Sequence, residues 1–358
     1  MAPALAALVM RQARASLIEA QMIAGIDKKN DSPVGLLPED RKAMALVSRA
    51  LLSQGLQDRA SEIHELLADC TKPLGEWLPV PEVVERGLSC TRLISRETGA
   101  PTAEAEELAR GFSTLVAGVE ELLFGNFREM LEKHARASAY EYYTKVREFV
   151  VRHPVATGAQ VKEFADDLPS NIWMLVAQQF YESVPFSWST DGLVTLCAHC
   201  GNALRQGTAG GSCRTAACTA TQSLREGSVV PVDELFRVTR GIAQYWIEPG
   251  IDELRLFDAL TNSGIAAELY PFMDRVDVAV GNIGIDLKTY ASPELLGEKI
   301  RRSKGGLAHY EKKWLVIPDW LVQATPQYLD RLRHAMEETA SAVRCLSLSD
   351  AMQELTHA

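Results

Sequence analysis

Apolar residues recur at three- and four-residue spacing through most of residues 1–150, with few β-branched runs. Such spacing forms an apolar stripe along a helix, so it predicts an all-helical N-terminal region. The stretches with this pattern are Arg41–Leu56, Arg59–Asp69, Thr102–Phe124 and Phe127–Val151. His153-Pro154 ends the last of them, because the residue before a proline disfavours helical geometry. Two shorter predicted helices follow at Gly158–Asp167 and Ser170–Glu182.

The apolar pattern changes to a period of two in the stretch Tyr270–Lys288. Every second residue of Val276–Val280 is a valine, which is typical of a strand with one buried face. Gly281-Asn282 then supplies residues that tolerate the positive φ of a tight turn, and Gly284–Lys288 alternates again. The stretch therefore predicts a β-hairpin.

The elements around this hairpin predict an α/β sandwich built on a mixed sheet. Trp314–Pro318 is a continuous apolar run, typical of a fully buried central strand. The other predicted strands are Ala266–Tyr270 and Val343–Leu348, and the predicted helices are Val232–Gly241, Ile251–Ser263, Pro293–Arg302 and Pro326–Ala340.

The chain has 358 residues and a net charge of −10, which excludes non-specific electrostatic coating of nucleic acid. No apolar run reaches the roughly 18–20 residues of a membrane span. Met1–Met10 is apolar without a basic leader and predicts the start of an amphipathic helix rather than a signal peptide. We therefore expect a cytoplasmic protein, with no membrane partner and no disulfide framework.

One segment is rich in basic residues, although the chain as a whole has a net negative charge. Lys288–Lys313 contains seven basic and three acidic residues. A basic segment directly after the hairpin predicts contacts with phosphate groups, and a solvated helix face is the alternative. The predicted phosphate-binding residues are Lys299, Arg301, Arg302 and Lys304.

Four of the seven cysteines fall within 22 residues of glycine-rich sequence. Cys197 and Cys200 are separated by two residues, the spacing that lets one turn present two thiolates to a metal, and Cys213 and Cys218 form a wider pair. The four predict a zinc-ribbon-like unit with a closed Zn²⁺ site, which is structural because no position stays open for water. Disulfides are the alternative, and His199 is a substitute ligand in place of Cys218.

The hairpin carries the candidate chemistry. Its period places Asp286 and Lys288 on one face of the return strand, next to the strand that contains Asp277. Two carboxylates and an ammonium group among aliphatic residues would be costly in a purely structural hairpin, so we expect a charged ligand between them. A surface hairpin whose charges face water is the alternative.

Asp277, eight further residues and then Asp286-Leu287-Lys288, set in this order of helices and strands, resemble the PD-(D/E)xK nuclease superfamily. The resemblance covers about residues 245–350 and implies a restriction-endonuclease-like fold and a Mg²⁺-dependent (or Mn²⁺-dependent) endodeoxyribonuclease. Asp277 and Asp286 would ligate the metal with the Leu287 carbonyl, since Mg²⁺ prefers oxygen ligands and retains water. Lys288 would orient or deprotonate the attacking water and offset charge in the transition state.

The resemblance also implies that an acidic residue of the preceding helix can join the site. Glu253 is the first choice for this residue and Glu268, on the first strand, is the second. Asp274 is the alternative to Asp277 as the first acid of the motif.

The whole layout resembles the endonuclease-like protein that accompanies prokaryotic PIWI-RE proteins in defence operons. This implies a role in a defence or restriction system, with DNA as substrate, a PIWI-RE protein and a helicase as partners, and a homodimer as one way to cut both strands. A family member that keeps the fold without cleavage is one alternative. The other is a non-catalytic adaptor that binds nucleic acid or protein through the zinc unit and the helical region.

The sequence thus divides into four predicted parts. Residues 1–152 form a helical scaffold or partner-binding region, 153–190 a short helical connector, 191–230 the four-cysteine unit, and 231–358 the nuclease-like domain.

Overall fold

The computed structural model describes residues 1–23, 36–110, 119–134, 137–205, 213, 215–220 and 226–357. The chain packs as two units. The first comprises Met1–Leu122 and Tyr290–Lys299, and the second comprises Leu123–Thr289 and Ile300–Ala358. Part of the predicted helix Thr102–Phe124 and the glycine-rich loop between the cysteine pairs lie outside the described residues. Within the described part of the chain, no helix is long and apolar enough to cross a membrane.

The first unit is built around its N-terminal helix. Its helices are α1 (Ala2–Ile23), α2 (Pro38–Ser53), α3 (Ile63–Asp69), α4 (Leu74–Trp77), α5 (Pro81–Glu85) and α6 (Ala103–Ala109). Every residue of α1 from Ala4 to Met10 is at most 2% exposed. This stretch is buried on all sides, so the expected amphipathic character is wrong here, because a helix that is apolar all round packs inside a core.

Two helices and an aromatic cluster open the second unit. α7 (Val119–His134) and α8 (Ala139–Arg152) stand where the single helix Phe127–Val151 was predicted. Ser138, a residue type favoured at helix starts, occupies the N-cap position of α8. Trp246 stacks on Phe124 with ring centroids 4.5 Å apart. The other rings of the cluster are Phe127, Tyr143 and Phe180.

A small antiparallel sheet follows that the sequence did not indicate. Its strands are β1 (Val155–Thr157), β2 (Tyr181–Ser183) and β5 (Leu235–Val238), in the order β1-β5-β2. The predicted helix Val232–Gly241 is therefore wrong, because β5 pairs with strands on both sides and tertiary pairing overrides a short, ambiguous apolar run. The remaining elements of this region are α9 (Gly158–Asp166), α10 (Ser170–Gln179), β3 (Leu193–Cys197), α11 (Ala216–Ala220), β4 (Glu226–Pro231) and α12 (Arg240–Ile242).

A five-stranded mixed sheet forms the C-terminal part, in the order β10-β9-β8-β7-β6. Its strands are β6 (Glu268–Leu269), β7 (Val278–Val280), β8 (Ile283–Leu287), β9 (Lys312–Ile317) and β10 (Arg344–Ser347). The helices of this stretch of the chain are α13 (Glu248–Asn262), α14 (Pro271–Asp274), α15 (Pro293–Arg302), α16 (Asp319–Ala324), α17 (Tyr328–Met336) and α18 (Leu348–Thr356), and residues 293–299 of α15 belong to the first unit. Strands β6, β7 and β8 run antiparallel, whereas β8, β9 and β10 are parallel. The predicted hairpin is confirmed, with a positive φ of 55° at Gly281, and so is the central strand, since β9 lies between β8 and β10.

Candidate functional site

Three charged side chains meet at the β7–β8 hairpin. Asp277 directly precedes β7, and its N–H donates to the Ile285 carbonyl at 3.1 Å, which extends the strand pairing by one residue. Asp286 lies within β8 and Lys288 follows its end. Lys288 Nζ lies 2.6 Å from Asp286 Oδ1 and 4.0 Å from Asp277 Oδ2. The two carboxylates therefore share one ammonium group.

Asp277 is the most buried of the three, at 5% exposure, and its Oδ2 accepts the Leu287 N–H at 2.6 Å. Burial raises the pKa of Asp277 well above its usual range, the charge of Glu253 raises it further, and Lys288 opposes both. Burial alone would lower the pKa of Lys288, but Asp286 and Asp277 outweigh it and raise that pKa. Additional positive charge would favour the ionised form of Asp277.

This donor set fits a hard divalent cation. Carboxylate oxygens are the ligands that Mg²⁺ prefers, and Mg²⁺ is typically held by one or two of them with several waters. The ammonium group of Lys288 between Asp277 and Asp286 indicates that the pair accommodates a cation. These two residues would hold the metal.

Glu253 is buried on α13, but its partner is an arginine that the sequence analysis missed. Both Glu253 oxygens lie near Arg147 Nη2, at 2.9 and 3.2 Å. Burial raises the pKa of Glu253, and the charge of Arg147 opposes the increase. The available signal was positional: Arg147 follows Tyr143 by four residues and precedes Val150 by three, so it lies on the buried stripe of α8.

The two alternatives for the acids differ in their surroundings. Asp274 forms an ion pair with Arg147, whereas Asp277 lies within reach of Lys288. Glu268 is exposed on the edge strand β6, whereas Glu253 is 1% exposed. The choice of Asp277 over Asp274, and of Glu253 over Glu268, stays a prediction.

The predicted phosphate-binding residues have several partners of their own. In the first unit, Lys299 donates to the Tyr290 hydroxyl at 2.8 Å. In the second unit, exposed Arg301 pairs with Glu337. Phosphate binding by Lys299, Arg301, Arg302 and Lys304 stays a prediction.

The four predicted zinc ligands form one buried cluster in the second unit. The Sγ atoms of Cys197, Cys200, Cys213 and Cys218 all lie within 4.8 Å of one another. The distance is 3.8 Å for Cys197–Cys218 and 3.2 Å for Cys200–Cys213, and all four cysteines are free, so no disulfide joins them. Tetrahedral thiolates at about 2.3 Å from Zn²⁺ have sulfur atoms about 3.8 Å apart. The cluster could therefore hold a metal ion such as Zn²⁺.

A tight turn brings the first cysteine pair together. The Gly201 N–H donates to the Cys197 carbonyl at 2.8 Å, and the Cys197 N–H donates to the Asn202 carbonyl at 2.8 Å. Gly201 has a φ of 71°, which glycine adopts without steric cost. His199, the alternative ligand, places Nδ1 3.1 Å from Cys218 Sγ, outside the group of four sulfur atoms.

Helix α13 connects the cysteine cluster to the acidic residues. The carboxylate of Glu248, its first residue, accepts the Ala216 N–H at 2.9 Å and the Ala217 N–H at 3.3 Å, at the start of α11. Ile251 packs against the cysteines, and Glu253 follows within the same helix. One helix therefore contacts the cysteine cluster and carries Glu253.

Together, a mixed sheet with clustered carboxylates and a lysine, a helical N-terminal region and a four-cysteine cluster that could hold a metal ion define an α/β protein. Residues 250–358 match the family described as "REase associating with pPIWI_RE", and residues 19–157 match the family described as "pPIWI_RE three-gene island domain Y". Both matches name the pPIWI_RE system, which confirms the resemblance seen in the sequence and supports a restriction-endonuclease-like domain. No curated protein and no solved structure matches this chain.

Proposed function

We propose that the chain is a Mg²⁺-dependent (or Mn²⁺-dependent) DNA endonuclease with a restriction-endonuclease-like C-terminal domain. The observation that carries the proposal is the meeting of Asp277, Asp286 and Lys288 at one hairpin, within the segment matched to the REase family. The chain would act in a prokaryotic defence system, in the cytoplasm, alongside a PIWI-RE protein and a helicase.

Each residue of the site has a role in phosphodiester hydrolysis. A bound Mg²⁺ would polarise the phosphate and lower the pKa of its water. Asp277 and Asp286 would hold that cation, together with the Leu287 carbonyl. Lys288 orients the attacking water or takes its proton, and its charge offsets the negative charge of the transition state. The arrangement needs no nucleophilic side chain.

The other parts of the chain support this reaction. Zn²⁺ bound by the four cysteines braces the region between the helical and nuclease-like parts, because a closed thiolate site is structural. Arg301, Arg302 and Lys304 contact DNA phosphates. A homodimer or a partner protein supplies the second active site that cutting both strands requires.

The direct test is cleavage of duplex, single-stranded and R-loop DNA by the purified chain with Mg²⁺ or Mn²⁺, alone and with a PIWI-RE protein and a helicase from the same host. Asp286→Ala should reduce cleavage by at least about 10²-fold, since it removes a metal ligand. Asp330→Ala is the matched control, because Asp330 is an exposed carboxylate on α17.

Two results would overturn the assignment. Equal cleavage by Asp286→Ala and the parent would remove Asp286 from the site. Metal-independent DNA or protein binding, with no nicking by any combination of partners and no effect of Asp286→Ala on defence in the host, would instead favour the non-catalytic adaptor.

A further inference from the structure

Arg147 is the central residue of a cluster beside the candidate active site. In the sequence it lies outside the segment that matches the REase family. Its side chain is 3% exposed and pairs with Glu253 at 2.9 Å and with Asp274. The guanidinium carbon also lies 4.0 Å from the centroid of the Tyr270 ring. We call Arg147, Glu253, Asp274 and Tyr270 the arginine clamp.

The first effect of the clamp is on a strained turn of the backbone. Non-glycine residues rarely adopt positive φ, yet four of the five residues from Tyr270 to Asp274 do so, with φ between 49° and 73°. Arg147 contacts the first and last of them, through the Tyr270 ring and the Asp274 carboxylate. The Tyr270 N–H in turn donates to the Asp277 carbonyl at 2.9 Å. Arg147 thus fixes the turn that leads into the first catalytic acid.

The second effect is on the charge of the site. Four carboxylates interact there with two cationic side chains, and each cation pairs with two of them: Arg147 with Glu253 and Asp274, and Lys288 with Asp277 and Asp286. The carboxylates are Asp274, Asp277, Asp286 and Glu253, and the cations are Arg147 and Lys288. Without Arg147, Glu253 would be a buried carboxylate without its guanidinium partner, next to the metal site.

We propose that Arg147 is a positioning residue of the nuclease site, so that α8, from the segment matched to domain Y, completes the site formed by the REase segment. The inference rests on the proposed function. It explains why the two matched segments occur in one chain: the last helix of the first match, 19–157, supplies a buried group that the second, 250–358, lacks.

The test uses the full-length chain and two independent measurements. Mn²⁺ affinity is measured by calorimetry without DNA, and cleavage is measured as kcat and KM with DNA. Arg147→Met should weaken Mn²⁺ binding by about 10–100-fold, the usual effect of losing a residue that orients metal ligands, and lower kcat with little change in KM. Arg147→Lys should restore little, since an ammonium group cannot reproduce the planar fork of the guanidinium.

Arg152→Met is the matched control. Arg152 lies on the same helix, and its exposed side chain pairs with Asp258 of α13 at 2.6 Å, so it joins the same two helices away from the site. This variant should keep the Mn²⁺ affinity and kcat of the parent. The double variant Arg147→Met, Glu253→Gln removes both buried charges, and it should recover thermal stability without recovering Mn²⁺ affinity.

The outcomes separate this inference from the nuclease assignment. If the parent binds Mn²⁺ but never cuts DNA, weaker Mn²⁺ binding by Arg147→Met still supports the clamp while the nuclease assignment fails. If Arg147→Met does not fold, the Mn²⁺ affinity of the folded double variant tests the inference instead. Mn²⁺ affinity and kcat equal to those of the parent in a folded Arg147 variant would overturn the inference, as would a parent that binds no Mn²⁺.

Discussion

In the proposed site, Lys288 would affect both metal binding and DNA cleavage, and one substitution separates the two effects. Its ammonium group lies 2.6 Å from Asp286 Oδ1, so in the proposed site it would compete with a metal ion for that carboxylate and would also serve the reaction. Lys288→Met should therefore bind Mn²⁺ at least as tightly as the parent, yet cut DNA about 10²–10⁴-fold more slowly, the usual contribution of a positioned acid–base group. Calorimetry and single-turnover cleavage measure the two effects. Undiminished cleavage by Lys288→Met would remove the lysine from the mechanism.

Glu104 gives the first unit a pH-dependent stability. Burial raises its pKa, although the Ala291 N–H, which donates to Glu104 Oε1 at 2.6 Å, opposes the increase. A carboxyl group whose pKa is raised by folding stabilises the fold below its unfolded pKa, and this stabilisation is lost as the pH rises through the folded pKa. Glu104→Gln keeps the oxygen acceptor and removes the ionisation.

We therefore expect Glu104→Gln to raise the melting temperature more at pH 8 than at pH 4, measured by thermal unfolding across that range. Glu65→Gln is the control for the same substitution outside the core, because Glu65 is exposed on α3. A parallel shift of Glu104→Gln at every pH would contradict this origin of the pH dependence.

At the residue scale, the sequence indicated contacts between residues that are close in the chain and missed contacts between residues that are far apart in it. Asp286 and Lys288 were readable because a strand of period two places them on one face. Arg147 was not, because Glu253 lies 106 positions further along the chain and only the packing of α8 against α13 brings the two together.

At the element scale, a single glycine allows α13 to pack closely against α8. A Cβ atom on Gly250 would lie 2.7 Å from Val151 Cγ2 and 2.8 Å from Cγ1, closer than side-chain packing allows. Gly250→Ala should therefore lower the free energy of unfolding by about 1–3 kcal/mol, as overpacking usually does. Because the Arg147–Glu253 pair joins the same two helices, Mn²⁺ affinity should also decrease.

The double variant Gly250→Ala, Val151→Ala tests the cause of that loss. If the clash is responsible, the smaller side chain makes room for the new methyl group, and the double variant should be more stable than the sum of the two single variants predicts. Additive losses of stability in chemical denaturation would point to the helix backbone instead.

The elements themselves were predicted unevenly from the sequence. Helix α15 and the central strand β9 follow strong local patterns, and their positions agree with the structure. β5 was taken for a helix because its four residues carry too short a pattern to distinguish the two, and its two partner strands decide the outcome. The turn of positive φ at Tyr270–Asp274 contains no glycine, so no residue type in this segment predicts it.

At the scale of the whole molecule, the cysteine cluster should determine whether the middle of the chain is ordered. We expect about one zinc ion per chain by elemental analysis, and Cys200→Ser or Cys213→Ser should lose it together with thermal stability, because structural zinc contributes directly to folding. Cys90→Ser is the control, since Cys90 is a free, exposed cysteine of the first unit. Freshly purified, reduced protein without zinc would contradict this prediction.

At this scale the sequence indicated the cysteine cluster and the proximity of the hairpin charges, because cysteine spacing and the acid–lysine motif are short-range signals. The division of the chain into packed units was not. Tyr290–Lys299 belongs to the first unit, although its neighbours in sequence on both sides belong to the second. Side-chain contacts such as that of Ala291 with Glu104 produce this division, and no local pattern encodes them.

Helix α13 would couple the binding free energies of the two proposed metal sites. Glu248 at its start holds the segment that carries Cys218, and Glu253 in the same helix is held by Arg147. By reciprocity, if zinc tightens Mn²⁺ binding by some factor, Mn²⁺ must tighten zinc binding by the same factor. Each ion would then act as an allosteric effector of the other, and a chain stripped of zinc would be a poor nuclease with every catalytic side chain intact.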